Sequence, residues 1–214
     1  MQQPPVDLKP YFLTIDDLED VIIEGVIDWA ALFGNDNPVE IDVGSGRGLF
    51  LVDAGLAHRD VNYLGIELEY REGRHAARRL KKREMPNVRV LGGDVRVAFQ
   101  KYIPPHSVRA VHVYFPDPWW KRKHRRRRLF TDQLVQQIAT VLQPGGLVHA
   151  WTDVAEYFEV IEALMDHHEQ FQTRSVLSER EALHDLDYQT SFERKKRQAG
   201  CKIWRGLWQF CAGD

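Results

Sequence analysis

Residues 38–48 read Pro-Val-Glu-Ile-Asp-Val-Gly-Ser-Gly-Arg-Gly, a β-prone run broken by glycines at 44, 46 and 48. The run predicts a strand over 38–43. The glycines predict a tight turn out of it, because a residue without a β-carbon adopts conformations, and permits a ligand approach, that other residues forbid. A helix is expected to follow at once. Further along, strands are expected near 61–66, 87–91, 108–115 and 146–151, with helices over 70–84, after Asp94, over 129–142 and over 154–169. Strands alternating with helices through short connections predict a mostly parallel sheet covered on both faces, and right-handed crossovers leave a doubly wound α/β topology as the simplest arrangement.

The two ends depart from this rhythm. Residues 1–14 hold three prolines and no periodicity, and read as an irregular lead-in. From Asp16, the apolar residues Leu18, Ile22, Ile23, Val26, Trp29, Ala30 and Phe33 recur at helical spacing, which predicts one helix capped by Thr14 or Asp16 and ending near Gly34-Asn35. At the other end, 171–177 and 201–210 are β-prone runs separated by a charged insertion. In the second, Trp204, Trp208 and Phe210 share one face while Ile203 and Leu207 share the other, so an internal strand, antiparallel to the rest, is expected. With 214 residues, 43% of them apolar, and no repeat or linker, one domain over 1–214 is expected.

Charge is segregated. The chain carries a net −2, yet Lys121 to Arg128 (KRKHRRRR) holds seven formal positives, leaving 22 basic against 31 acidic residues elsewhere. Two further clusters are Arg71, Arg74, Arg78, Arg79, Lys81, Lys82 and Arg83 on one predicted helix, and Arg194 to Arg197 with Lys202 and Arg205. The three blocks contain 20 of the 29 basic residues, a distribution that points to a polyanion site on a weakly acidic body. An arginine-rich helix face is also commonly just a solvated surface, and for 71–83 the two readings weigh equally.

Cys201 and Cys211 are the only cysteines and, on one extended strand, would lie roughly 33 Å apart, beyond any bridge. The amino terminus lacks the basic-then-apolar pattern of a signal peptide, and no uncharged apolar run reaches membrane-spanning length, so a cytoplasmic location is expected. The nine histidines are scattered, and His167 and His168 diverge on a helix, which gives no support to a metal site. Monomer and homodimer stay equally open.

In a doubly wound sheet, ligands bind beyond the carboxyl ends of the strands where strand order reverses. The first strand delivers Asp42, Gly44, Gly46 and Gly48 there; Glu67 ends the next strand, placed to accept ribose hydroxyls; Asp94 follows Gly92-Gly93 at the end of the third, placed for an adenine amino group. These three strand ends suit an adenosine. The glycine spacing departs from the dinucleotide pattern, with its third glycine one position early and Leu49 in the place of the last small residue. Asp42 would repel a pyrophosphate and suits a cationic ligand, so S-adenosylmethionine is favoured over a nicotinamide cofactor. No Lys-Ser/Thr follows the glycines, which excludes a nucleoside-triphosphate loop.

The predicted fourth strand ends in Phe115-Pro116-Asp117-Pro118-Trp119, where prolines on both sides of Asp117 restrict its backbone, and Trp119 and Trp120 offer flat surface for a base. Together with the basic tail this segment, FPDPWWKRKHRRRRL, resembles the bacterial tRNA (guanine-N7)-methyltransferase family, as does the chain from about residue 38 onward. The resemblance extends to Asp153 in Trp151-Thr152-Asp153 and to Thr190-Ser191-Phe192-Glu193, which is similar to the family's Thr-x-x-Glu substrate motif. It implies a Rossmann-like methyltransferase fold, S-adenosylmethionine as methyl donor and tRNA as partner. Asp42, Glu67, Asp94 and Asp117 would then line the donor pocket, with Asp117 also serving the catalytic centre. Lys121, Asp153, Thr190, Ser191, Phe192 and Glu193 would contact the guanosine, and Lys123, His124, Arg125, Arg126, Arg127 and Arg128 the RNA backbone. Trp120 and Lys196 depart from the family's pattern, which affects the stacking partners rather than the reaction.

The activity so implied is methyl transfer to guanine N7, whose free lone pair requires no general base. A small-molecule methyltransferase would leave the arginine blocks without a purpose. A non-catalytic RNA-binding protein would leave the glycine turn, Glu67 and Asp94 without one.

Overall fold

The computed structural model describes residues 7–119, 123, 128–176 and 191–212, with Ser191 and Phe192 described by backbone alone. The chain begins with β1 (Phe12–Thr14), a 3-10 helix (Ile15–Val21), β2 (Ile22–Ile23), β3 (Val26–Ile27) and α1 (Trp29–Phe33). The alternating part follows as β4 (Val39–Val43), α2 (Leu49–Ala57), β5 (Asn62–Glu67), α3 (Tyr70–Lys82), β6 (Val88–Gly92), α4 (Val95–Lys101) and β7 (Val108–Tyr114). It continues through α5 (Asp132–Val141), β8 (Leu142–Thr152), α6 (Ala155–His167) and β9 (Phe171–Thr173), and ends with α7 (Ser191–Gln198) and β10 (Trp204–Phe210).

Eight strands form one sheet in the order β1-β6-β5-β4-β7-β8-β10-β9. β1, β6, β5, β4, β7 and β8 pair in parallel, and β10 lies antiparallel between β8 and β9. The expected doubly wound sheet and its internal antiparallel strand are therefore present. Two apolar clusters cover the two faces. One draws on α4, α5 and α6; the other is built by Phe50, Leu51 and Val52 of α2 with Ala76, Ala77 and Leu80 of α3. α3, α4 and α5 each bury a stripe at i, i+3, i+4 spacing, and that burial rather than intrinsic propensity holds them in place.

Two expectations for the amino-terminal region fail. The lead-in is not wholly irregular, because Phe12, Leu13 and Thr14 pair in parallel with Val90, Leu91 and Gly92 and extend the sheet by one edge strand. Phe12 and Leu13 are buried there, an apolar pair hidden in the sequence by the surrounding prolines. The single helix expected over 16–33 is also absent. Glu24 and Gly25 both take positive φ, 54° and 88°, and turn Ile22–Ile23 back onto Val26–Ile27 as a two-residue hairpin. Two central residues of positive φ match the twist of antiparallel strands. The run Ile22, Ile23, Val26, Ile27 is β-branched, so its side chains favour the hairpin, and Asp28 then caps α1 by accepting from the Ala31 N–H at 2.8 Å. The Thr14 cap is real but serves only the 3-10 helix: Asp17 Oδ2 accepts from both the Thr14 N–H and its hydroxyl, at 2.8 and 2.7 Å.

Candidate functional site

β4 has the alternation that makes a site. Val39, Ile41 and Val43 enter the larger core cluster, while Glu40 and Asp42 point to the opposite face by period two. The chain leaves β4 toward β5 and returns on its other side as β7, so the carboxyl end of β4 is the point where strand order reverses. A cavity of about 230 Å³ opens there, lined by the 44–48 turn with Asp42, Leu49, Phe50, Tyr114 and Phe115. The turn packs tightly on its inner side: a β-carbon at Gly48 would come within 2.7 Å of the Ala76 Cβ. On the outer side, at Gly44 (φ 75°), a β-carbon would meet nothing within 4 Å, so the strand end is left open.

Asp42 is 4% exposed and accepts no hydrogen bond among the described residues. Burial, with the nearby charge of Glu67, pushes its carboxyl up to about 8. An acid held in this state favours a cation in the space beside it, where charge-charge attraction can offset the lost hydration. Glu67 braces the turn: Oε2 accepts the Gly46 N–H at 2.6 Å and Oε1 the Glu69 N–H at 2.8 Å, leaving a lone pair on each oxygen. The Ser45 hydroxyl is buried without a partner at the same place. Asp94 caps α4, accepting from the Arg96 N–H at 2.9 Å and from its guanidinium at 3.1 and 2.7 Å, which holds the carboxyl below the usual range. The three acids thus end adjacent strands on one sheet edge. Glu67 reaches the cavity through Gly46, whereas Asp94 lies further along the edge in a pair the sequence did not suggest.

The cavity's other wall was not anticipated. Tyr114 stands against Phe50, with ring centroids 5.1 Å apart, and its hydroxyl lies 2.9 Å from His112 Nδ1. His112 Nε2 lies 2.8 Å from Glu40 Oε2, and Arg109 donates to Glu40 Oε1 from Nε and Nη2 at 2.9 and 2.6 Å. Burial works to raise the Glu40 carboxyl, but bonds and charge from His112 and Arg109 overcome it and hold it at about 2. The sequence signal was there: Glu40 and Asp42, like His112 and Tyr114, are two apart on neighbouring strands and so share a face. Glu40→Ala is expected to cost about 3 kcal/mol, since it leaves His112 buried opposite no carboxylate. A lower urea midpoint at pH 7 would show it. Because the folded value lies below the ordinary 4.5, Glu40 stabilises the protein above that pH and loses this effect as pH falls toward about 2, so the gap between variant and wild type should narrow in acid.

The segment after β7 is pinned at both ends. The Phe115 N–H donates to the Trp151 carbonyl at 2.7 Å, and the Pro118 carbonyl accepts from Arg128 Nε at 2.7 Å. Phe115 and Trp119 take positive φ, 53° and 41°, each costing about 1–3 kcal/mol that the surrounding bonds must offset. Between them Asp117 is exposed. Arg128, expected on the RNA backbone, is half-buried with its guanidinium 5.4 Å from the Tyr157 ring centroid, so it secures the turn from within.

From Tyr114 a line of contacts crosses the sheet. Tyr114 meets Trp151 at 4.6 Å between centroids, the Arg205 guanidinium lies 4.7 Å over Trp151, and Arg205 Nη2 donates to Glu193 Oε1 at 3.2 Å. Glu193 is 3% exposed and also meets Arg197 at 3.5 Å, while Asp153 pairs with Lys196 at 2.7 Å. Lys196 thus ties α7 to the end of β8. Lys123 is exposed. Lys121, His124, Arg125, Arg126, Arg127, Thr190 and Trp120 lie outside the described residues, and Ser191 and Phe192 open α7. Among the described residues no group of His, Cys, Asp and Glu could hold a metal ion, and no helix is long and apolar enough to cross a membrane.

A family profile described as "Putative methyltransferase" matches residues 36–206. The chain is 40% identical over 208 residues to a tRNA (guanine-N(7)-)-methyltransferase of Rhodopirellula baltica, covering 94% of this chain and 75% of that protein. It is 33% identical over 208 residues to one of Hydrogenovibrio crunogenus, covering 95% and 82%. Among solved structures, the 16S rRNA methyltransferase KamB superposes with a TM-score of 0.60 at 15% identity, covering 83% of this chain and 90% of that one. A 16S rRNA adenine methyltransferase from Catenulisporales acidiphilia, solved with cosubstrate SAM, also gives 0.60 at 15% identity, covering 86% and 90%. At such identity these structures show the shared fold.

Proposed function

The chain belongs to the tRNA (guanine-N7)-methyltransferase family, and from that membership we propose that it transfers the methyl group of S-adenosylmethionine to N7 of a guanosine in tRNA. The observation that carries the reading is the buried Asp42 facing a glycine-lined cavity, joined through Tyr114, Trp151 and Arg205 to the acidic end of α7. The proposed donor pocket and acceptor platform would be linked through these contacts. One domain over 1–214 suffices for this, in the cytoplasm, with tRNA as partner.

The cavity fits the donor by charge. When bound, S-adenosylmethionine supplies an electrophilic methyl on a sulfonium that leaves as a neutral thioether. Asp42 would hold the donor's cationic end, Glu67 would accept ribose hydroxyls on the lone pairs its backbone bonds leave open, and Gly44 would admit the ligand against bare backbone. Gly46 and Gly48 shape that turn. Asp94 would accept from the adenine amino group on the free lone pair of Oδ2. Phe50 and Tyr114 wall off water on the far side.

Guanine N7 presents its own lone pair, so the protein's task is alignment and compensation of the positive charge growing on the ring. Asp117, exposed on a turn pinned at Phe115 and Pro118, would face that charge. Asp153 and Glu193 would receive the guanine's N1 and N2 hydrogens, with Lys121 and Thr190 through Phe192 completing the contact. Both acids already hold basic partners, so guanine would share rather than replace them. Lys123 through Arg127 would meet backbone phosphates, while Arg128 donates to the Pro118 carbonyl.

Incubation of the protein with labelled donor and bulk tRNA, followed by nucleoside analysis, is expected to give 7-methylguanosine as the labelled product. Binding of the donor without formation of that nucleoside would overturn the assignment.

A further inference from the structure

A second cavity, of about 490 Å³, lies between α2 and α3. Leu49 and Val52 form part of its lining, and His75, Arg78, Arg79, Lys82 and Arg83 line the rest. These five recur at i, i+3, i+4, i+7 and i+8, the spacing by which a helix normally presents an apolar stripe to a neighbour. Here the apolar stripe of α3 is Gly73, Ala76, Ala77 and Leu80, buried against the sheet. The cationic one is a separate face.

Isolated basic residues on a helix usually extend into solvent or pair with acids one turn away. Among the described residues, Arg78, Arg79, Lys82 and Arg83 have no carboxylate within ion-pair distance, and Asp53 of α2 acts on Arg79 and Arg83 only at longer range; Arg83 Nη1 donates to the Arg79 carbonyl at 3.2 Å, and Arg79 Nη1 to the Arg47 carbonyl at 3.2 Å. Burial, then the charges of Arg47, Arg83 and Arg194, disfavour the cationic form of Arg79, and the Asp53 charge offsets this only in part, so like charges are gathered at a cost that an incoming anion would relieve.

Position identifies the anion. Leu49 is shared between this groove and the cavity at the glycine turn, and Arg47 belongs to that turn. Arg194, whose charge reaches Arg79, lies on α7 one residue from Glu193. The groove therefore runs beside the proposed donor site, and the charge of Arg194 on the proposed acceptor helix acts on its Arg79. Resting on the function proposed above, we propose that the groove between α2 and α3 binds the phosphodiester backbone of the same tRNA, as a docking site separate from the Lys121–Arg128 block.

The test is tRNA affinity, measured by fluorescence anisotropy from 50 to 300 mM salt, for the full chain and for the triple variant Arg78→Ala, Lys82→Ala, Arg83→Ala. All three positions are exposed. The expected result is an affinity about tenfold lower at 100 mM salt and a log–log salt slope shallower by about 2, since each lost phosphate contact removes roughly 0.7–0.9 from the slope. Donor affinity should be unchanged. If the triple variant melts early, the single charge reversal Lys82→Glu carries the same measurement, with a shallower slope again expected. An affinity within twofold of wild type with an unchanged slope would overturn the groove as an RNA site. The two proposals fail separately: wild-type protein that forms 7-methylguanosine while its groove variant binds tRNA normally removes the groove alone, whereas wild-type protein that forms none removes the function.

Discussion

Wild-type affinity for S-adenosylmethionine should rise about 50-fold between pH 6 and pH 8, and in Asp42→Asn it should be both weak and flat across that range. The reason is the buried carboxyl. With no ligand, burial and the Glu67 charge hold its pKa at about 8, so at pH 6 it is protonated and neutral. A donor carrying positive sulfur and nitrogen binds best to the ionised acid, so at low pH binding must expel a proton. The linkage gives close to one proton released per donor at pH 6, falling to about half at pH 8. Calorimetry in two buffers of different ionisation enthalpy measures that number directly. The same shift has a consequence for the ligand-free protein. Its folded value is raised, so the native state holds a proton that the unfolded chain gives up near 3.8, and stability declines as pH climbs from there through about 8. Wild-type affinity that is flat from pH 6 to 8 would place the donor's cationic end away from Asp42.

Asp117→Ala should lower kcat by about 10²–10³-fold while changing tRNA affinity little, in line with the loss of one preorganised charge at a reacting centre. Asp117 is exposed and sits between two anchored residues, so its removal leaves the fold intact: the Phe115 bond to Trp151 and the Pro118 bond to Arg128 both use backbone carbonyls. Single-turnover rates at saturating donor and tRNA separate the chemical step from binding. The proposed role requires the loss to appear there. Near-normal turnover would move the charge-stabilising task to Asp153 or Glu193, which already share their oxygens with Lys196, Arg197 and Arg205.

The legible parts of this protein are those written within a dozen residues. The strand–glycine–helix unit at 38–48 was readable because β-propensity, the glycines and the strand-end acid are contiguous. The acids at 42, 67 and 94 followed because each closes a strand of the same rhythm. The hairpin at Ile22–Ile27 was not readable, since its apolar spacing also satisfies a helix and the choice rests on the positive φ values of Glu24 and Gly25. Period alone cannot separate two solutions that bury the same residues. The lead-in strand was missed for a related reason: three residues carry no period, and their burial comes from an edge of β6 supplied some eighty positions away.

By itself the sequence determined the alternation of the sheet, the chemistry at its strand ends and the charge blocks that call for a polyanion, because local propensity and side-chain type act within one element. Only the tertiary structure decided that Tyr114, Trp151, Arg205 and Glu193, from β7, β8, β10 and α7, form one line of contact leading from the glycine turn. Cross-strand register makes that line, with Tyr114 opposite Trp151 and Trp151 opposite Arg205. Register is set by hydrogen-bond ladders between segments distant in sequence, where a slip of one residue would turn each of these side chains to the other face.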